Sequence, residues 1–152
     1  MSETQGEYRS RQRNVSVPQI SEEQQISASI LIADDDPNIL RALTFLMERQ
    51  GHRVRTAADG QEALVAVAES PPNLLLLDLM MPRGNGYEVC RTLRASPEYN
   101  NVRIVMLTAR GQDNDQRTGL AAGADAYVTK PFAINDVVDC VSAMLAKQRE
   151  VS

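Results

Sequence analysis

Five short apolar runs, each followed by a longer segment with helical periodicity, constrain the fold of this chain more than any other feature of its sequence. The runs are ILIA at 30–33, LLLL at 74–77, IVML at 104–107, AYVT at 126–129 and, more polar than the others, the strand candidate RVRTA at 53–57. The four leucines show no alternation of apolar and polar residues, which is typical of a strand buried on both faces of a parallel sheet. We therefore predict five strands, with the leucine run as a central one.

The segments after these runs predict five helices. The clearest one stops at Gly51 and has one apolar face, made by Ile39, Leu40, Leu43, Leu46 and Met47. The other predicted helices lie at 63–68, 87–94, 113–122 and 134–145, and the one at 113–122 is the weakest because Leu120 is its only large apolar residue. Strands that alternate with helices indicate an α/β fold, and right-handed crossovers make it a doubly wound, five-stranded parallel sheet with helices on both faces.

The chain of 152 residues divides into three parts by composition. Residues 1–27 are rich in Ser, Glu, Gln and Arg and show no period, so they are interpreted as a polar N-terminal extension. Residues 28–149 carry the strand and helix pattern and form one predicted domain, and residues 150–152 are a short C-terminal tail. A chain of this length buries enough surface to fold around a single core.

Composition and charge exclude several classes of protein. The net charge of −4 gives no support to nucleic-acid binding, and the apolar runs are far shorter than a membrane span. The start lacks the layout of a secretory signal, and Cys90 and Cys140 do not suggest a disulfide framework, so we expect a cytoplasmic protein. The single histidine, His52, excludes a histidine-rich metal cluster, and the sequence has neither a dinucleotide fingerprint nor a phosphate-binding loop.

Reactive side chains follow four of the five predicted strands. They are Asp34, Asp35 and Asp36 after the first strand, Asp78 after the third, Thr108 after the fourth and Lys130 after the fifth. In open α/β sheets ligands bind outside the carboxyl ends of the strands, so these groups are expected to meet at one edge. Clustered carboxylates repel one another and need a cation or raised pKa values, and a set of oxygen ligands suits Mg²⁺.

Each of these groups has a purely structural explanation when it is taken alone. The three consecutive aspartates precede a helix whose first turn suits Pro37, where Asp commonly caps free N–H groups. Asp78 would fit a turn, Thr108 a strand end, and Lys130 a solvated surface. Capping does not explain why all of them lie at carboxyl ends of strands, so the combination favours a functional site.

Four segments carry a resemblance to a known family. ILIADDDPNIL, LLLLDLMMPRGNGYEVC, IVMLTAR and GADAYVTKPF resemble, in order and spacing, the signatures of the receiver domain of two-component response regulators. The resemblance covers about residues 29–148. It implies a flavodoxin-like fold with strand order 2-1-3-4-5, here as a stand-alone receiver.

The resemblance also implies a set of metal ligands. Asp78 matches the phospho-acceptor, Asp35 the carboxylate that binds Mg²⁺ directly, and Asp34 its neighbour that acts through water. The backbone carbonyl of Met80 matches the third protein ligand of the metal. The loop departs from the usual family pattern because it reads Pro-Arg-Gly-Asn-Gly, without an aspartate before the last glycine, and this departure bears on the loop geometry.

Three further matches concern the phosphoryl group and the signal. Thr108 matches the hydroxyl that holds a phosphoryl oxygen, and Lys130 matches the invariant lysine of the family, whose bond to Pro131 is expected to be cis. Tyr127 matches the aromatic switch residue. We expect Tyr127 to turn inward as Thr108 moves, and the weak helix at 113–122 to be the moving element.

The resemblance implies a phosphorylation-dependent signalling switch rather than an enzyme. The donor would be a phosphohistidine of a sensor kinase or a phosphotransfer protein, and the output would be an unknown protein partner, without direct DNA binding or membrane contact. A dimer through the fourth helix, fifth strand and fifth helix is a further expectation. The alternative is the receiver portion of a longer response regulator or hybrid kinase. The order of the motifs disfavours a haloacid-dehalogenase-like phosphatase. The complete set of site residues disfavours a receiver-like scaffold that is never phosphorylated.

Overall fold

The computed structural model describes residues 27–109 and 122–151. Their elements are β1 Ser29–Ala33, α1 Pro37–Arg49, β2 Arg53–Ala57, α2 Gly60–Glu69, β3 Leu74–Asp78, α3 Gly86–Arg94, a 3-10 helix Pro97–Tyr99, β4 Arg103–Ala109, β5 Ala126–Lys130 and α4 Ile134–Val151. Each predicted apolar run is confirmed as a strand, with bounds within two residues of the prediction. Four of the five predicted helices are present, and the one predicted at 113–122 lies, except for Ala122, outside the described residues.

The five strands form one parallel sheet in the order β2-β1-β3-β4-β5, which confirms the predicted α/β fold and strand order. The chain passes from β1 outward to β2 and then returns to β3 on the other side of β1. The order therefore reverses between β1 and β3, and a crevice for ligands is expected there.

The core consists of two apolar layers, one on each face of the sheet. On one face α2 and α3 pack against alternate strand residues that include Leu31, Leu75, Leu77, Ile104 and Met106. On the other face α1 and α4 pack against Ile30, Ile32, Leu74, Leu76, Val105 and Leu107. Every residue of β3 is buried, which explains why its leucines show no alternation. Among the helices of the described ranges, none has both the length and the apolar character that a membrane span requires.

Side-chain caps begin three of the helices. Asp36 accepts from the N–H of Asn38 at 2.9 Å, and Pro37 occupies the first turn of α1. Asp59 accepts from Glu62 at 2.8 Å at the start of α2, and Asn85 accepts from Glu88 at 3.0 Å at the start of α3. Of the three consecutive aspartates after β1, Asp36 is thus the helix cap, which leaves the other two available for a different role.

Candidate functional site

Three carboxylates meet at the carboxyl ends of β1 and β3. These strands are neighbours in register, with Ala33 paired to Leu77, so the residues that follow this pair, Asp34 and Asp78, lie side by side. Carboxylate oxygens of Asp34, Asp35 and Asp78 lie within 4.8 Å of one another. Asp34 and Asp78 are buried, whereas Asp35 is exposed, so the group is open to solvent on one side.

Lys130 reaches this cluster from the end of β5. Its Nζ donates to Asp34 Oδ2 at 2.9 Å and to Asp78 Oδ1 at 3.2 Å. Burial alone would lower the pKa of Lys130, but the hydrogen bond to Asp34 and the charge of Asp78 outweigh it and raise the pKa. The lysine is therefore charged and bridges the ends of β1 and β3.

One ammonium group does not neutralise three carboxylates. Burial raises the pKa of Asp78 to about 6, and the nearby charge of Asp34 adds to the shift while Lys130 opposes it. A divalent cation with a preference for oxygen would relieve this excess of negative charge, and the exposed Asp35 leaves a route for it. The acidic cluster thus has the chemistry of a metal site, as the sequence predicted.

Thr108 lies at the end of β4, between the strands that carry Asp78 and Lys130. It is only 2% exposed. Tyr127 is paired with Met106 and is partly buried against the core on the α2 and α3 side. Because side chains alternate along a strand, Thr108 points to the same face of the sheet as Met106 and Tyr127. The two expected switch residues therefore share one face.

The loop after Asp78, residues 79–85, is called the acceptor loop below. Leu79 is buried and donates its N–H to the carbonyl of Leu107 at 3.1 Å, whereas Met80 is 71% exposed. The loop closes where Gly86 donates to Leu79 at 2.9 Å, and a Cβ at Gly86 would lie 2.8 Å from the carbonyl oxygen of Asp78. Glycine is thus required where α3 begins against the end of β3. The Lys130–Pro131 peptide bond is cis, as the resemblance implied.

The structure brings together Asp34, Asp35, Asp78 and Lys130, and places Thr108 at the same edge and Met80 in the adjoining loop. Sequence reasoning missed an ion pair between Arg83 of the acceptor loop and Asp59 at the start of α2. The Asp-Gly pair before a helical pattern was a signal for a cap at Asp59. Nothing in the spacing indicated its partner, which lies 24 residues away in the sequence.

Comparisons with known proteins agree with this geometry. A family model described as the response regulator receiver domain matches residues 30–142. The DNA-binding response regulator MtrA of Mycolicibacterium smegmatis is 45% identical over 121 residues, which are 80% of this chain and 52% of that protein. The phosphate regulon transcriptional regulatory protein PhoB of Rhizobium meliloti is 40% identical over 79% of this chain and 53% of its own length. The chain therefore spans about half the length of these curated relatives.

Solved structures of receiver domains have the same fold. The receiver domain of Francisella response regulator 1452 superposes with a TM-score of 0.74 at 29% identity and covers 80% of this chain and 98% of its own. The signal receiver domain of a signal transduction histidine kinase from Syntrophus aciditrophicus gives a TM-score of 0.75 at 28% identity, covering 80% of this chain and 92% of its own. Such domains thus occur in both regulators and kinases.

Proposed function

This chain belongs to the response regulator receiver domain family, and from that premise we propose that it is a phosphorylation-dependent switch whose phospho-acceptor is Asp78. Membership implies an interaction with a histidine kinase. The observation that carries the proposal is the meeting of three carboxylates within 4.8 Å, with Lys130 donating to two of them. An ordinary helix cap or turn does not need such a group.

In the proposed reaction, a carboxylate oxygen of Asp78 attacks the phosphorus of a phosphohistidine on a sensor kinase or phosphotransfer protein. The phosphorus–nitrogen bond breaks, the imidazole leaves with the bonding electron pair, and an acyl phosphate forms on Asp78. Lys130 neutralises part of the charge on the phosphoryl oxygens, and the Thr108 hydroxyl donates a hydrogen bond to one of them. The chain acts as an acceptor that assists its own phosphorylation and dephosphorylation, and not as an enzyme.

Asp35, Asp78 and the backbone carbonyl of Met80 would hold Mg²⁺, and Asp34 would act on it through a water molecule. When bound, Mg²⁺ supplies charge neutralisation for the transferring phosphoryl group. The raised pKa of Asp78, caused first by burial and then by Asp34, supports this proposal because a cation at the cluster would offset both the cost of burying the charge and the repulsion from Asp34.

The signal would leave the site along β4 and β5. Thr108 moves toward the phosphoryl group and Tyr127 turns into the space that it leaves, so that a protein-binding face changes and a downstream protein binds. The predicted helix at 113–122, proposed as the moving element and as part of a dimer face with β5 and α4, lies outside the described residues apart from Ala122.

The alternative is that this chain is the receiver portion of a longer protein. It is favoured by the relatives MtrA and PhoB, of which the chain spans about half, and by the similarity to a receiver domain of a histidine kinase. In either case we propose no direct DNA contact by the receiver itself, since a net charge of −4 opposes binding to phosphates.

The proposal is tested by incubation with acetyl phosphate and Mg²⁺, followed by intact mass measurement. The wild type is expected to gain one phosphoryl group, and Asp78→Asn is expected to gain none. Asp36→Asn is the matched control, because it removes a neighbouring carboxylate while asparagine still caps α1. Equal labelling of the wild type and Asp78→Asn would show that the acceptor is elsewhere.

A further inference from the structure

The two halves of the acceptor loop are held in different ways. In the near half, Leu79 and Met81 are buried on either side of Met80, which is 71% exposed. In the far half, Gly60 donates its N–H to the carbonyl of Pro82 at 3.4 Å and Gln61 donates to Arg83 at 3.1 Å. The free N–H groups at the start of α2 therefore bind carbonyl groups of the loop.

The contact between α2 and the loop is close. A Cβ at Gly60 would lie 2.0 Å from the carbonyl oxygen of Gly84 and 2.8 Å from that of Arg83. Backbone atoms occupy this space on both sides, so neither element can shift by a rotamer change. The start of α2 and the far half of the acceptor loop thus behave as one unit.

An ion pair joins this unit. Arg83 donates from Nε and Nη2 to Asp59 Oδ2 at 3.1 and 2.6 Å, while Asp59 Oδ1 accepts from the N–H of Glu62 at 2.8 Å. Asp59 is only 5% exposed, whereas the Arg83 side chain is 71% exposed. The N–H of Glu62, followed by Arg83, holds the pKa of Asp59 below its usual value.

The backbone of Arg83 indicates that this pair shapes the loop. Its φ of 51° lies in the left-handed region, and no other non-glycine residue in the described ranges has a positive φ. That conformation costs a residue with a side chain about 1 kcal/mol or more. The Arg83–Asp59 pair and the bond from the N–H of Gln61 to the Arg83 carbonyl are contacts that offset this cost.

The same turn also contacts the other carboxylate-bearing strand end. The N–H of Asp34 donates to the carbonyl of Ala57 at 3.1 Å, two residues before Asp59. The segment 57–59 therefore contacts the residues after β1 and, through Arg83, the loop after β3. This one segment therefore contacts the chain on both sides of the acidic cluster.

We propose that the Arg83–Asp59 pair is a positioning contact of the acceptor site, which holds the acceptor loop so that the Met80 carbonyl is placed for Mg²⁺. This inference rests on the function proposed above. Arg83 does not touch the reacting atoms, and it acts through the backbone of residues 80–83. Its loss leaves the loop held by the backbone bonds to α2 alone. The Met80 carbonyl is then held less firmly while the carboxylates of Asp35 and Asp78 remain in place, and Mg²⁺ binding weakens.

The test is titration of the unphosphorylated protein with Mg²⁺, followed by calorimetry or NMR. Arg83→Ala and Asp59→Ser are each expected to weaken Mg²⁺ binding about threefold to tenfold, less than the loss typical of groups bonded directly to a ligand. Serine still caps α2 but is too short to reach Arg83. The double variant is expected to bind no more weakly than either single one, and Arg83→Lys is expected to recover part of the affinity.

Charge alone predicts the opposite result for Arg83→Ala, since removal of a positive charge near the site would strengthen cation binding. Arg49→Ala, which removes an exposed arginine at the end of α1, is the control for net charge and is expected to bind Mg²⁺ as the wild type does. The urea midpoints of the metal-free proteins are measured alongside, because a merely structural pair would lower the midpoint and leave the Mg²⁺ affinity of the folded protein unchanged.

Wild-type Mg²⁺ affinity in Arg83→Ala would overturn the positioning role. Absence of Mg²⁺ binding in the wild type, with Asp35→Asn indistinguishable from it, would overturn the proposed metal site itself. The two failures are therefore distinct. Arg83→Ala is expected to fold because its side chain is mostly in solvent.

Discussion

In the proposed reaction Asp78 must be held in a fixed position and must also be ionised, and these two requirements conflict for a buried carboxylate. Its position is fixed because it ends β3, a strand with every residue buried, but that burial also raises its pKa to about 6, with a further contribution from Asp34. Only the ionised form is a nucleophile. Lys130, donating at 3.2 Å, opposes the shift, so that Asp78 is mostly ionised at neutral pH.

This shift makes the metal-free protein less stable when Asp78 ionises. Because the folded-state pKa is above the unfolded value, stability is lost as the pH rises from about 4 through about 6, and it stays low above that range. Asp78→Asn cannot ionise, so we expect it to exceed the wild type by about 1–3 kcal/mol at neutral pH and by little at about pH 4. Urea unfolding in the presence of a chelator measures both differences. A gain of equal size at the two pH values would contradict the electrostatic cause.

At the scale of elements, periodicity was sufficient to find the strands. A run such as Leu74–Leu77 is recognised easily because it contains no polar residue. Asp78, Thr108 and Lys130 were then found at the carboxyl ends of their strands. The order of the strands came from the family resemblance, since periodicity does not say which strands are neighbours. The docking of the acceptor loop on α2 was not predicted, because it depends on backbone atoms that no side-chain pattern reports.

That docking gives a prediction for Gly60. Alanine favours a helix by about 1 kcal/mol over glycine, but here its Cβ would lie 2.0 Å from the carbonyl oxygen of Gly84. We expect Gly60→Ala to lower the free energy of unfolding by about 1–3 kcal/mol. Gln61→Ala, at the next and exposed position of α2, is the control and keeps the backbone bond to Arg83. Urea unfolding compares the two, and a Gly60→Ala protein as stable as the wild type would show that the loop is not packed against α2.

At the scale of the whole molecule, the site draws on the carboxyl ends of four strands, β1, β3, β4 and β5, while the expected switch residues share one face of the sheet. The amino end of β5 is held firmly on that face. Arg94 of α3 donates to the carbonyl of Gly123 at 2.9 Å and to Asp125 Oδ2 at 2.9 Å, and the same oxygen accepts from Ile104 at 2.8 Å. A change at Thr108 and Lys130 is therefore expected to spread along the carboxyl halves of β4 and β5 and to stop at this network.

Hydrogen exchange with beryllofluoride and Mg²⁺, a phosphoryl mimic, tests how far the change extends. We expect altered exchange at the carboxyl ends of β4 and β5 and in the segment that follows β4, and unchanged exchange at Ala122–Asp125 and in α1. A shift from 1:99 to 99:1 between two states would need about 5.5 kcal/mol, which contacts of the phosphoryl group with Thr108, Lys130 and the metal would have to supply. Asp78→Asn is the control and should show no response to the mimic. If exchange at Ala122–Asp125 changed as much as at the strand ends, the Arg94 network would belong to the moving part. If exchange changed only at the residues around Asp78, the signal would not travel along β4 and β5 at all.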